Sequence, residues 1–375
     1  MKVVIAAAGT GGHINPGIAI ANKIKEEDKN SKVLFIGTNR GLENDLVPRA
    51  GYELKTVNAY GIERKLTVQN FKRLYSTIKS IKEAKKILTE FKADVVIGTG
   101  GYICMPVILA ANKLKIPTLL HESNAFPGVA VRLLSKKVNT VLVGFEDAKL
   151  RLKKAKNVVV TGNPTKIKKQ NLTSNQKEEI IRSIGLNTNK PIVLVFGGSQ
   201  GAKSINKSFI NIIKNKKNKE YQIIWAAGPS QYEEIKEKLS DDNININNIE
   251  NVKIVPYIYN MEEIMNVVDL VVCRSGAMTI TEISIVGKPA IFIPFPFATE
   301  NHQEYNAKVL EKVGAAEIIL DKELNADILD KKIKEIVISK EKVTKMGEKA
   351  NKCATKNVTD KIYQEVKKVE CCHNK

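Results

Sequence analysis

Tryptophan occurs once in 375 residues, and aromatic side chains make up only 6% of the chain. So few flat rings leave few stacking platforms for single-stranded nucleic acid, and no recognised binding module accompanies them, which argues against a nucleic-acid partner. Cysteine is also sparse: five residues, none in a C-x-x-C pair. This spacing offers no zinc ribbon or dithiol redox motif and predicts reduced thiols in a cytoplasmic protein. Cys371, Cys372 and His373 stand together on a polar tail and are read as tail rather than as metal ligands. No apolar run approaches the ~18 residues of a membrane span. The apolar start Met1–Ala8 runs at once into glycines and is too short for a signal peptide. A soluble or peripheral protein is expected. Acidic residues are in deficit, 40 against 60 Lys+Arg, for a net charge of +20. Such a field favours an anionic membrane or phosphorylated substrates, unless the lysines are simply solvated helix faces.

What is present reads as one supersecondary unit, repeated. At about 150 residues per domain, the length predicts two domains. Val3–Ala7 is expected to be a buried strand, Gly9–Gly12 a glycine loop and Pro16–Ile24 a helix, with Lys32–Ile36 the second strand. The loop lacks the third glycine of G-x-G-x-x-G, and Gly37-Thr38 stands where a ribose-binding acid would end the second strand, so a nicotinamide site is not expected. Asp94–Ile97, the turn Gly98–Gly101 and the helix Pro106–Leu114 repeat the pattern, and His121-Glu122-Ser123-Asn124 follows another apolar run. Thr161–Lys177 is polar, carries Pro164 and reads as an interdomain linker. Beyond it the pattern restarts with strand Ile192–Phe196, loop Gly197–Gly201 and helix Ala202–Ile213, then strands Gln222–Ala226, Val252–Val255 and Ala290–Ile293. Val267–Val272 reads as a strand that leads through Arg274-Ser275-Gly276 into a helix from Ala277 through Ile283. A strand feeding a helix through such a turn aims amides and the helix dipole at a phosphate, and Thr279 and Glu282 add groups suited to a ribose. Packing helices are expected near Ala326–Ile338 and Val358–Val369. The fold class is α/β, with two doubly wound units expected to face each other across a cleft.

The runs Gly9-Thr10-Gly11-Gly12-His13, Gly98-Thr99-Gly100-Gly101-Tyr102, His121 to Asn124, Gly197 to Ala202, Arg274 to Glu282 and Gln303 to Ala307 together resemble the MurG family, in order and along essentially the whole chain. The resemblance implies a GT-B glycosyltransferase fold with two Rossmann-like domains, at 1–163 and 164–355, and a last helix, about 356–375, that packs back on the first. It implies an inverting transfer of N-acetylglucosamine from UDP-N-acetylglucosamine to the 4-hydroxyl of undecaprenyl-pyrophosphoryl-MurNAc-pentapeptide, in peptidoglycan synthesis and hence in cell shape and division. The acceptor would bind the first domain and the donor mainly the second. Another GT-B enzyme using a UDP-sugar, a lipid glycosyltransferase or a UDP-N-acetylglucosamine epimerase, is the alternative.

The same resemblance assigns donor contacts to Thr10, Gly11 and Gly12, places Asn124 at the transferred sugar and Ser199 near the nucleotide, and gives Ile258 a backbone contact to uracil. Ala277, Met278, Thr279, Ile280, Thr281 and Glu282 would hold pyrophosphate and ribose, and Gln303 the sugar hydroxyls. Lys166 replaces an arginine of the family, keeping the charge but losing the planar fork, and His302 replaces a frequent glutamine. Glycine-loop amides and a helix N-terminus can stabilise the departing pyrophosphate without a cofactor. No Asp-x-Asp metal signature is present, and a divalent cation is permitted rather than required.

His13 is the leading candidate for the base, with diphosphate binding or loop capping as its other reading. Tyr102 either positions the acceptor or is structural, and Glu122 either orients His13 or satisfies loop amides. The polyprenyl acceptor implies a peripheral protein on the cytoplasmic side of the cell membrane, in reach of other cell-wall synthesis proteins. Gln69–Lys86 sets Phe71, Leu74, Tyr75, Ile78 and Ile81 at helical spacing beside Lys72, Arg73, Lys79 and Lys82, a face suited either to anionic lipid or to the domain's own sheet.

Overall fold

The computed structural model describes residues 1–59, 68–198, 201–249 and 251–371, with side chains at all of these but 68–77 and 247. The chain divides into two compact units, Met1–Lys166 with Thr355–Lys375, and Ile167–Ala354.

In the first unit, strands β1 (Lys2–Ala6), β2 (Lys32–Gly37), β3 (Glu53–Thr56), β4 (Val95–Gly98), β5 (Thr118–Glu122), β6 (Thr140–Val143) and β7 (Val158–Val160) form one sheet. Its order is β3-β2-β1-β4-β5-β6-β7, with every pairing parallel. Helices α1 (Gly11–Glu27), α2 (Glu43–Arg49), α3 (Val68–Phe91), α4 (Cys104–Lys113), α5 (Val129–Leu134) and α6 (Glu146–Lys149) connect the strands. A parallel sheet is covered on both faces, so its central strands are apolar on every residue instead of alternating. On β1, Val4 and Ala6 enter a core with Leu88 of α3 and Val107 and Ile108 of α4, whereas Val3 and Ile5 meet Ile14, Ile18 and Ile24 of α1.

The second unit repeats the plan with β8 (Ile192–Phe196), β9 (Gln222–Ala226), β10 (Val252–Val255), β11 (Leu270–Cys273), β12 (Ala290–Phe292) and β13 (Ala316–Ile318), ordered β10-β9-β8-β11-β12-β13. Its helices are α7 (Ser174–Ser183), α8 (Lys203–Lys214), α9 (Pro229–Ser240), α10 (Met261–Val267), α11 (Ala277–Val286), α12 (His302–Glu311), α13 (Ala326–Val337) and α14 (Lys340–Lys352). The single tryptophan, Trp225, is fully buried in this core, and its indole donates to Asn206 Oδ1 at 3.0 Å. It is a packing residue. The last helix, α15 (Val358–Cys371), returns to the first unit, where Ile362, Val366 and Val369 join the core on the α1 face and Asp360 pairs with Lys23 at 2.6 Å.

Several boundaries differ from the sequence expectation, each for a local reason. Val267 ends α10 instead of opening a strand, and β11 starts at Leu270. A short run of valines suits either state, and only the neighbouring strands decide between them. α1 begins at Gly11, so Pro16 lies inside it at the sixth position, where the ring forfeits one i→i−4 bond that the helix tolerates. The segment expected to be a linker contains the start of α7, where Thr173 and Gln176 form a reciprocal capping box. Of the basic-apolar face on α3, Ile78 is exposed and Ile81 packs on the core, while Phe71, Lys72, Arg73, Leu74 and Tyr75 lie outside the described side chains. None of the helices, among the described residues, is long and apolar enough to cross a membrane.

Candidate functional site

Each sheet reverses its winding direction once, between β1 and β4 in the first unit and between β8 and β11 in the second. Ligands of open parallel sheets bind at the strands' carboxyl ends at such a switch point. Thr10 to His13 and Tyr102 lie at the first of these, and the stretch from Ala277 to Glu282 follows β11 at the second.

In the first unit, β1 leads through Ala7, Ala8 and Gly9 to Thr10, the N-cap of α1. Gly9 has φ +96°, a conformation that L side chains rarely adopt. Gly11 and Gly12 belong to the first turn of α1, not to a loop, and Thr10 makes no side-chain cap, so the helix N-terminus is presented bare. His13 is the third residue of that turn. Its Nδ1 lies 3.1 Å from Ala8 O. A carbonyl only accepts, so Nδ1 carries the proton and Nε2 is the basic nitrogen of the neutral ring. The ring lies against the second glycine run: a Cβ on Gly100 would stand 2.5 Å from His13 Cδ2. Thr99 Oγ1 donates to His13 O at 2.8 Å, tying the two runs together.

Tyr102 is half-buried against the core beside that run. Beneath it, Cys104 Sγ accepts from Gly100 N at 3.3 Å, and burial pushes the thiol up to about 12, which keeps it a thiol. At the end of β5, Glu122 is buried and accepts from Asn124 N (2.9 Å), Asn124 Nδ2 (3.0 Å) and Gly128 N (2.8 Å). Of its two expected roles, satisfying loop amides is the one the geometry displays. It also orients the Asn124 amide. Burial raises the Glu122 carboxyl, with those three donors pulling the other way. His121, wholly buried, contacts Gly162 O through Nε2 at 3.2 Å, and burial lowers it to about 4, so it is neutral.

In the second unit, Gly276 caps α11 without a side-chain bond, and the helix presents a second bare N-terminus. Ala277 and Ile280 point into the core, so they can reach a ligand through the main chain only, while Met278, Thr279, Thr281 and Glu282 are half-buried. Thr281 Oγ1 donates to Ala277 O at 3.0 Å. Ile258, buried, lies between the exposed Tyr257 and Tyr259. Gln303 Oε1 accepts from Phe295 N at 3.0 Å, and its carbonyl accepts from Ser275 Oγ at 2.8 Å, which brings the start of α12 beside the turn before α11. His302 Nδ1 lies 2.8 Å from Thr299 O. Lys166 is exposed, and Ser199 lies outside the described residues. No group of three His, Cys, Asp or Glu side chains suited to a metal occurs among the described residues.

The chain matches the glycosyltransferase family 28 N-terminal domain over residues 3–143 and the family's C-terminal domain over 192–362. It is 45% identical over 369 residues to the UDP-N-acetylglucosamine–N-acetylmuramyl-(pentapeptide) pyrophosphoryl-undecaprenol N-acetylglucosamine transferase of Thermoanaerobacter sp. (strain X514), covering 98% of this chain and 100% of that one. Acinetobacter baumannii MurG superposes with a TM-score of 0.77 at 28% identity, over 98% of this chain and 99% of the other. This chain belongs to the MurG family. A UDP-GlcNAc 2-epimerase from Neisseria meningitidis also superposes, with a TM-score of 0.67 over 98% of this chain and 100% of its own; at 17% identity that likeness is one of fold. The two parallel α/β units form the GT-B architecture of the MurG family.

Two parts of this MurG-family site escaped the sequence reading. Arg274, expected in the phosphate turn, directs its guanidinium inward: Nη1 donates to Ile293 O (3.0 Å), Pro294 O (3.1 Å) and Asp321 Oδ1 (2.5 Å), and Nη2 to Ser204 Oγ (2.9 Å). It braces the ends of β11 and β12 against the start of α8. Glu43, fully buried at the head of α2, accepts from Gly9 N (2.9 Å), Thr38 N (2.9 Å) and Thr38 Oγ1 (2.6 Å). Burial raises this carboxyl, but the Thr38 and Gly9 donors outweigh it and the net shift is downward, so Glu43 is an anion. Gly37 and Gly41 close around it; a Cβ on Gly37 would stand 2.7 Å from Glu43 Cγ. In the sequence the only sign was two glycines, Gly37 and Gly41, shortly before the acid.

Proposed function

We infer that this chain transfers N-acetylglucosamine from UDP-N-acetylglucosamine to the 4-hydroxyl of the muramyl sugar of undecaprenyl-pyrophosphoryl-MurNAc-pentapeptide, converting lipid I to lipid II. The observation that carries this is end-to-end similarity to transferases of that activity, with both GT-B units intact. Breaking the anomeric C–O bond leaves negative charge on the UDP pyrophosphate. The bare N-terminus of α11, with its Thr279 hydroxyl, suits that charge, and Glu282 suits the ribose diol. His13 is proposed as the base, with the Ala8 carbonyl accepting from Nδ1 and fixing which ring nitrogen carries the proton, so that Nε2 is the basic position. We assign donor contacts to Thr10, Gly11, Gly12 and Asn124 of the first unit and, separately, to Gln303 of the second. We assign the chain to the cytoplasmic membrane surface as a peripheral protein, on its charge of +20 and its lipid-linked acceptor.

The test is incubation with labelled UDP-N-acetylglucosamine and a short-chain analogue of the lipid acceptor. Transfer of the label to the acceptor is the expected result. Epimerisation of the donor sugar, with no label reaching the acceptor, would move the chain to the epimerase class.

A further inference from the structure

The peptide unit between Ala8 and Gly9 is held from both ends by ionisable side chains. Its carbonyl accepts from His13 Nδ1 at 3.1 Å, and its N–H donates to Glu43 Oε2 at 2.9 Å. The following peptide is held to the same segment, since Leu42 N, one residue before Glu43, donates to Gly9 O at 3.5 Å. Glu43 is itself immobilised by two bonds from Thr38 and by the glycines at 37 and 41. We propose that Glu43 is a positioning residue for His13, acting through the Ala8–Gly9 peptide as the remote carboxylate of a peptide-bridged His–carboxylate pair.

The physical argument has two parts. An anion that accepts from a peptide N–H polarises the peptide and makes its carbonyl a stronger acceptor, because hydrogen bonds in series strengthen one another. A stronger acceptor holds the Nδ1 proton more firmly, which fixes the tautomer and raises the basicity of Nε2. The arrangement does the work of a carboxylate placed directly on the imidazole while leaving the carboxylate deep under the glycine turn, away from an anionic donor.

Other ionisable groups among the described residues belong to the neighbouring elements. Arg40, in the loop before α2, donates to Ala59 O at 2.7 Å. The second glycine run brings Tyr102 and Cys104, and β5 brings Glu122. Further out, Lys55 pairs with Glu53 on β3 at 3.1 Å, and Lys23 of α1 with Asp360 of α15 at 2.6 Å. All of these remain when Glu43 is neutralised by Glu43→Gln, which keeps the shape and an acceptor oxygen.

The inference rests on His13 being the base, and its test is separable from that reading. The chain has four histidines, so the ring of His13 can be followed by NMR titration in the full-length protein without substrate. In Glu43→Gln the His13 titration is expected to move down by roughly half a pH unit or more. The acid limb of the kcat profile should move with it, and kcat at neutral pH should fall by about three- to tenfold, with KM for UDP-N-acetylglucosamine unchanged. A His13 titration at the same pH in both proteins overturns the proposal. A shifted titration with an unmoved kcat profile upholds the pair and removes His13 from the role of base. Should Glu43→Gln not fold, the wild-type protein decides: the Gly9 amide proton must titrate with the pKa of His13, and a Gly9 amide indifferent to that titration overturns the proposal.

Discussion

Glu282 is half-buried on α11, less than two turns from a helix N-terminus whose N-cap residue is Gly276. An ionised carboxylate there has acceptors for both hydroxyls of a ribose, and charge-assisted bonds are the stronger kind. Glu282→Ala is therefore expected to weaken UDP-N-acetylglucosamine binding by roughly 2–4 kcal/mol, read by calorimetry. Unchanged donor affinity would remove Glu282 from the ribose site. His13 is held differently, with its Nδ1 bonded to Ala8 O at 3.1 Å. His13→Ala should lower kcat about a hundredfold or more, keep donor binding and abolish the acid limb of the rate profile. A variant that loses acceptor affinity and retains the pH profile would assign His13 to binding instead.

His121, by contrast, is a histidine of the fold. Burial holds its folded value at about 4, below an unfolded value near 6.5. The stability carried by its neutrality is thus full above about pH 6.5, falls as pH drops toward about 4, and has a ceiling of roughly 3 kcal/mol. His121→Gln keeps a donor for Gly162 O and has no ring to protonate. Urea unfolding across that window should show the variant gaining on the parent as pH falls; a difference independent of pH would mean that His121 binds its proton equally in both states.

At the scale of elements, α15 matters most to the first unit. It lies last in the chain, yet its Ile362, Val366 and Val369 complete the core against Ile14, Ile18 and Ile24 of α1. The return is tight where Gly162, at φ +84°, leaves no room for a Cβ beside Thr355 and Val358. Ile362 is only 1% exposed, so Ile362→Ala should cost roughly 2–5 kcal/mol of the first unit's stability, seen as a lowered urea midpoint by circular dichroism. An unchanged midpoint would show that the unit is stable without that contact. The amphipathic spacing of α15 is plain in the sequence, but spacing alone names no partner for an apolar face. The Thr173–Gln176 capping box was equally legible as T-x-x-Q and was hidden only by its polar surroundings.

For the whole molecule the surplus of 60 basic over 40 acidic residues sets the long-range field. The lipid-linked acceptor proposed above would place the reaction at a membrane surface, where each nearby cation contributes about 1 kcal/mol on anionic lipid. Co-sedimentation with anionic vesicles is expected, weakened by salt and by charge reversal at Lys72 and Arg73 of α3. Equal binding to neutral and anionic vesicles, unaffected by that reversal, would rule out this helix as the electrostatic anchor.

The amino-acid order by itself determined the α/β class, the doubling of the plan and the family, because strand, glycine turn and helix are local patterns set by backbone conformation and side-chain period. It also placed the first-unit cluster of Thr10, His13, Tyr102, Glu122 and Asn124 at strand ends. Only the tertiary structure decided which donors remain for a ligand. Arg274 stood in the turn before the phosphate-facing helix, and its guanidinium is occupied with Ile293, Pro294, Ser204 and Asp321. Glu43, passed over in the sequence, reaches across 34 residues to accept from Gly9 N. A hydrogen bond between distant segments depends on strand order and on which face each helix buries, and residue spacing carries neither.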